Sequence, residues 1–246
     1  MLGGLHPKVF RSSLALETKL SVEGVLRELK AMGDPEAVEG MARFGISSAN
    51  TLGVSLPALR EMAKKIGKDH SLALGLWATK VHEARILAAL VDDPKLVTEG
   101  QMDRWVEDFD SWDVCDGCCG NLFDRTPYAF AKALEWAGRE EEFVKRAGFA
   151  MMAELAVHDK KAPDEAFVAF FQSIEDGSTD GRNFVKKAVN WALRQIGKRN
   201  LRLNGEALEV AARIAKNGTP SGRWVASDAA RELKSEAVKK KLRRSS

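Results

Sequence analysis

The chain is poor in cysteine, with only Cys115, Cys118 and Cys119 in 246 residues. So few thiols, set so close together, cannot make the disulfide framework of a small secreted scaffold, and they suit a reducing cytoplasm. Long apolar runs are also missing. The longest, 86–91 and 166–171, hold six residues each, whereas a membrane span needs ~20. The N-terminal stretch MLGGLHPKVFRSS has no apolar core of the kind a secretory signal requires. No segment alternates convincingly as a strand would, and there is no phosphate-binding glycine loop, nucleophile elbow or dinucleotide fingerprint. Zinc wants four ligands, yet Cys115-x-x-Cys118-Cys119 has no second cysteine pair, and His6, His70, His82 and His158 show no metal spacing. A redox CxxC belongs beside a βαβ pattern, which is absent. The thiols therefore read as small buried side chains between helices, and neither metal nor cofactor is expected.

What is present is an ordinary globular composition, 45% apolar and 30% charged. The net charge of +3 hides an asymmetry. Residues 186–246 hold 16 Lys/Arg against 5 Asp/Glu, whereas residues 1–185 hold 22 against 30. A basic C-terminal third suggests a surface that meets a polyanion. The plainer reading is a solvated basic helix or tail over about 234–246, because KSEAVKKKLRRSS supplies six of those positive charges.

Helical periodicity dominates, with breakers every ten to twenty residues, among them Gly33-Asp34-Pro35, Asp92-Asp93-Pro94 and Gly218-Thr219-Pro220. Ser55-Leu56-Pro57, Thr98-Glu99 and Thr219-Pro220 offer helix starts. About a dozen helices of roughly 10–18 residues are expected, in one domain spanning 1–246. A compact bundle and a solenoid of antiparallel pairs both fit. Pairing the segments gives units of about 35–45 residues, the range of HEAT-type repeats.

Three segments could bear chemistry. In Ser111-Trp112-Asp113-Val114-Cys115-Asp116, Ser111 is a candidate N-cap and Trp112 and Asp116 share a helix face at i and i+4. A carboxylate beside an indole can stack on a ring and stabilise positive charge, although spacing alone favours a first-turn acid and a half-buried Trp. In 140–158 an apolar stripe has Arg146 at its margin, able to reach a phosphate or simply to pack its stem. In 182–199, Lys187, Trp191, Arg194 and Lys198 fall at 0, +4, +7 and +11 along one stripe. That suits backbone tracking with stacking, or equally a Trp closing a helix seam beside snorkelling lysines.

These segments, in this order, resemble the AlkD-like DNA alkylation repair glycosylases. The resemblance runs from about residue 53 to 233. It includes the nonapeptide LGVSLPALR from Leu52 to Arg60, His82-Glu83-Ala84-Arg85, Trp112-Asp113-Val114-Cys115-Asp116, Phe143-Val144-Lys145-Arg146 and the KKAVNWALR stretch ending at Arg194. It implies an all-α, HEAT-like (ARM-type) helical repeat solenoid with a basic concave face that cradles duplex DNA. It also implies excision of cationic N3- and N7-alkylated purines, without metal or cofactor. By resemblance the catalytic aspartate falls on Asp116, the active-site tryptophans on Trp112 and Trp191, and a DNA-backbone arginine on Arg146. Lys187, Arg194 and Lys198 are further backbone candidates from the stripe. The expected partner is double-stranded DNA containing alkylated bases, met by a cytoplasmic monomer with no membrane attachment. The first 50 residues match less clearly and receive no functional residue. The alternatives are a non-catalytic HEAT-repeat protein that binds damaged or unusual DNA structures, and a protein–protein scaffold.

Overall fold

A computed structural model of the chain describes residues 21–245. The reading of the N-terminal MLGGLHPKVFRSS, His6 included, lies outside the described residues. Among the described residues there is no strand, and no helix is long and apolar enough to cross a membrane.

The helices are α1 (Val22–Ala31), α2 (Pro35–Ala42), α3 (Leu56–Ile66), α4 (His70–Ala78), α5 (His82–Val91), α6 (Glu99–Glu107) and α7 (Trp112–Asn121). After a 3-10 turn (Phe123–Arg125) follow α8 (Ala129–Ala137), α9 (Glu142–His158), α10 (Asp164–Val168), α11 (Phe171–Gly177), α12 (Asn183–Gly197), α13 (Leu201–Lys216), α14 (Pro220–Leu233) and α15 (Glu236–Ser245). Their starts follow local chemistry. Thr98 accepts the Gln101 amide at 3.2 Å, Thr219 accepts that of Gly222 at 3.0 Å, and Asp34 accepts those of Glu36 and Ala37, so each satisfies donors that the first turn leaves open. Ser55 caps α3 through its extended backbone alone, with Pro57 in the first turn.

Side-by-side packing of α5, α7, α9, α12 and α14 makes an inner row; α4, α8 and α13 lie behind α5, α9 and α14. These are stacked helix pairs. Their first helices begin at residues 70, 99, 129, 164 and 201, which is 29, 30, 35 and 37 residues apart. The early units are thus shorter than the expected 35–45, because α4, α5 and α6 span only nine or ten residues each. The unit at 164–177 departs from the expected helix length. Its apolar run carries Phe167, Phe170 and Phe171, all buried, at i, i+3 and i+4, a spacing that one continuous helix would also place on a single face. The chain turns at 169–170, and Phe170 then stacks on Phe130 at 5.7 Å while Phe167 meets Phe130 edge-on at 5.7 Å.

Elsewhere the core is held by aromatic stacking and by close helix approach. Trp77 and Trp105 stack with centroids 4.0 Å apart and planes 3° apart, and the Trp77 indole donates to Asp108 at 2.9 Å. Gly148 of α9 lies so close to the Ala137 amide of α8 that a Cβ would collide with it. The three cysteines are free and buried, and Cys115 and Cys119 direct their thiols at the carbonyls of Phe143 and Ala147 on α9. Burial pushes the Cys118 and Cys119 thiols well up. These thiols therefore pack α7 on α9. Among the described residues, no group of three or more His, Cys, Asp or Glu side chains is arranged to hold a metal ion.

Candidate functional site

The site is built around the start of α7, which is fixed by residues from α5. Glu83, fully buried, accepts hydrogen bonds from the Leu52 amide at 3.0 and 2.9 Å and from the Gly53 amide at 2.6 Å. Gly53 adopts φ +83° and packs against the Asp34 carbonyl where no Cβ fits. Two sequence segments 30 residues apart are thereby locked to each other. The neighbouring His82 places Nε2 at 2.9 Å from Asp113 Oδ2 in the first turn of α7. Burial alone disfavours the imidazolium, yet the Asp113 carboxylate outweighs it and His82 sits above its usual pKa. Burial likewise works against the Asp113 carboxylate, but the bonds from His82 and the Val114 amide outweigh it and hold Asp113 below the usual range. Arg85 reaches the Asp108 carbonyl at 3.1 Å and lies over the Trp77 ring at 5.2 Å. The α7 N-terminus is therefore a rigid platform.

On that platform Trp112 donates its indole N–H to the Phe44 carbonyl at 3.1 Å. One turn on, Asp116 meets Arg146 of α9 in a bidentate pair, with Nε to Oδ1 at 2.9 Å and Nη2 to Oδ2 at 2.7 Å. The third arm of Arg146, Nη1, donates to the Phe184 carbonyl on α12 at 2.6 Å. Arg146 is 6% exposed, while the Asp116 side chain keeps 21% of its surface open. Burial pushes the Asp116 carboxyl above the ordinary range, and Arg146 limits the rise. Deeper along α9, Glu154 packs against Gly120, and burial drives its carboxyl up to about 7 against the pull of His158.

Trp112, Asp116 and Arg146 share an open cavity of about 600 Å³ with Phe184, Lys187 and Trp191 of α12. The opposite wall is the 43–45 segment, Arg43, Phe44 and Gly45. Five of the residues singled out from sequence (Trp112, Asp116, Arg146, Lys187 and Trp191) are thus brought together, although they span α7, α9 and α12. Arg194 and Lys198 do not line the cavity. Arg194 Nη1 lies 2.5 Å from Glu232 Oε2, and Lys198 Nζ lies 2.6 Å from Glu232 Oε1. The regular cationic stripe read from α12 is therefore divided between an open end and a neutralised one. Arg146, expected at a margin, lies almost wholly inside because its partners come from two other helices.

The 43–45 wall carries no functional motif in the sequence. Its signal was local: a phenylalanine followed by Gly45, which takes φ +80° so that the chain can pass the Phe184 ring. A Cβ there would lie 2.8 Å from that ring. Phe44 is left 70% exposed at the lip. A cavity with one carboxylate, two indoles and cations at its edge can hold a sugar by ring-face contact, favour positive charge near Asp116 and receive an anion alongside.

Comparison with known proteins bears on the family and the fold of the chain. A family model described as DNA alkylation repair enzyme matches residues 25–234. The uncharacterized protein Lin0241 of Listeria innocua serovar 6a (strain ATCC BAA-680 / CLIP 11262) is 22% identical over 193 residues, which is 77% of this chain and 84% of the relative. A solved structure from "a new family of proteins related to the HEAT-like repeat DNA glycosylases with affinity for branched DNA structures" aligns with a TM-score of 0.71 at 21% identity. It covers 86% of this chain and 94% of its own.

Proposed function

The chain belongs to the DNA alkylation repair enzyme family and has a HEAT-like repeat fold, and on that premise we propose that its cleft hydrolyses the N-glycosidic bond of cationic N3- or N7-alkylated purines in duplex DNA. The observation that supports this reading is the placement of Asp116, a partly open carboxylate clasped by Arg146 in a cavity edged by Trp112 and Trp191.

The chemistry asks little more of the protein. Alkylation at N3 or N7 has already made the purine a cation, so the base departs as a neutral molecule and needs no general acid. As the C1′–N bond breaks, its electron pair goes to the purine and positive charge grows on the deoxyribose. The Asp116 carboxylate stabilises that charge. Water then adds at C1′ and yields its proton to Asp116 or to solvent, leaving an abasic site and the free alkylpurine. Trp112 and Trp191 hold the sugar and keep bulk water away. Arg146 fixes the Asp116 oxygens in place, and the N–H groups that Asp116 and Phe184 leave unengaged are its donors for the lesion's phosphate. Lys187, exposed at the same cavity, meets a neighbouring phosphate.

The same Arg146–Asp116 clasp favours a second reading, in which a carboxylate held through both oxygens serves structure and the cleft binds damaged or branched DNA without cutting it. The two part on product. Methylated duplex DNA incubated with the protein should release 7-methylguanine or 3-methyladenine, with or without a chelator. Tight duplex binding with no base released would decide for the binding reading.

A further inference from the structure

The inner faces of α12 and α14 carry complementary stripes that are matched at one end only. On α14, Trp224, Asp228 and Glu232 recur at i, i+4 and i+8, so they share a face. Asp228 and Glu232 both look towards Arg194, at 3.9 and 2.5 Å, and Glu232 also holds Lys198. That face is therefore turned to Arg194 and Lys198, the C-terminal half of the α12 stripe. Towards the C-terminal ends, cations and carboxylates cancel. Towards the N-terminal ends they do not. Lys186 lies 5.1 Å above the Trp224 ring, and neither Lys186 nor Lys187 has a carboxylate partner among the described residues. Trp224 remains 41% exposed, the only tryptophan among the large exposed apolar side chains of the described residues.

An exposed indole under the uncompensated Lys186 ammonium, with the next residue, Lys187, lining the cavity, fits a sugar–phosphate backbone. An ammonium over a ring still has N–H donors on the side away from the ring for an anion, and the ring offers an apolar plane to a deoxyribose. Resting on the reading of the cleft as a DNA site, we propose that duplex DNA leaves the cleft across the N-terminal halves of α12 and α14. A phosphate sits on Lys186 and a deoxyribose packs on Trp224, while Arg194 and Lys198 stay with Glu232 and take no part. This path differs from the even stripe that the α12 sequence suggests.

The test is the salt dependence of affinity for a fluorescein-labelled intact duplex, followed by anisotropy across a sodium chloride series. Each phosphate contact contributes ~0.9 to the log–log slope. Lys186→Gln should flatten the slope by about 0.9. Trp224→Ala should lower affinity roughly fivefold at every salt concentration, with Trp224→Phe restoring most of it. Arg194→Gln should leave the slope unchanged. Glu232→Gln, which releases Arg194 and Lys198, should steepen it by ~1–2. Far-ultraviolet circular dichroism checks that each variant is folded, and Glu232→Gln carries the test if Arg194→Gln is not. A flatter slope in Arg194→Gln with none in Lys186→Gln would overturn the proposal. If the wild type releases alkylpurine but Lys186→Gln and Trp224→Ala bind as it does, this path is wrong and the cleft chemistry stands. A wild type with no salt-dependent duplex affinity would sink both.

Discussion

Arg146 grips Asp116 with two parallel N–H···O bonds, 2.9 and 2.7 Å long, and ties the pair to α12 through the Phe184 carbonyl. One guanidinium therefore joins α7, α9 and α12 at the floor of the cleft. Arg146 is 6% exposed, and breaking a pair so nearly buried strands a charge in a poorly solvated place. Arg146→Ala should cost about 3 kcal/mol of stability, and the loss should shrink markedly when Asp116→Asn is combined with it. Urea unfolding of the four proteins of the cycle measures both. Equal losses in the two backgrounds would mean that the clasp contributes little.

The elevated pKa of Asp116 has a kinetic consequence. Only the ionised carboxylate can stabilise a sugar cation, and burial holds its pKa above the usual value. Excision should therefore fade on the acid side with a midpoint above the ~3.9 of a free aspartate. Single-turnover rates across acid pH, corrected for spontaneous depurination, measure it. A midpoint at or below that value would show that another group limits the reaction.

Glu154 supplies a stability prediction of opposite sense to the usual carboxylate. Its folded pKa is raised to about 7, so between its unfolded value and about 7 the native state binds more protons than the unfolded one. Stability from this residue is full at low pH and is lost as pH rises through that window. Glu154→Gln mimics the neutral acid and should be more stable than wild type at pH 8 by roughly 2 kcal/mol, with the difference closing near pH 5. Thermal melting at the two pH values tests this; a variant less stable at both would show that the charged form is the one the fold prefers.

Glu83 bears the load of the platform beneath α7. Its carboxylate is fully buried and accepts the Leu52 and Gly53 amides. Glu83→Gln turns one oxygen into an amide NH2 facing a donor, and about 2 kcal/mol should be lost. Chemical unfolding reads the loss, and a neutral substitution would mean that the 52–53 turn is held by Gly53 and its neighbours alone.

Much of this was legible in the chain. The helices followed from periodicity and breakers, and Thr98 and Thr219 cap as their positions suggest. Trp112 and Asp116 share one face of α7 because an i,i+4 pair must. Other features depend on residues far away in sequence. Glu232 lies 38 residues from Arg194, so nothing in the α12 pattern could reveal that half of its stripe is neutralised. Arg146 looks marginal on its own helix and becomes buried only because Asp116 and Phe184 close over it from either side. The 43–45 wall owes its place to the indole of Trp112, 68 residues beyond Phe44.

The most direct measurement compares wild type and Asp116→Asn on methylated duplex DNA, recording both base release and affinity. The substitution keeps the side chain's shape and one hydrogen bond to Arg146 but removes its charge. Release of 7-methylguanine or 3-methyladenine should fall by at least ~100-fold, the scale of a lost electrostatic contribution at a reacting centre, while duplex affinity stays within a few-fold. Undiminished release by Asp116→Asn would contradict the central role given to this carboxylate.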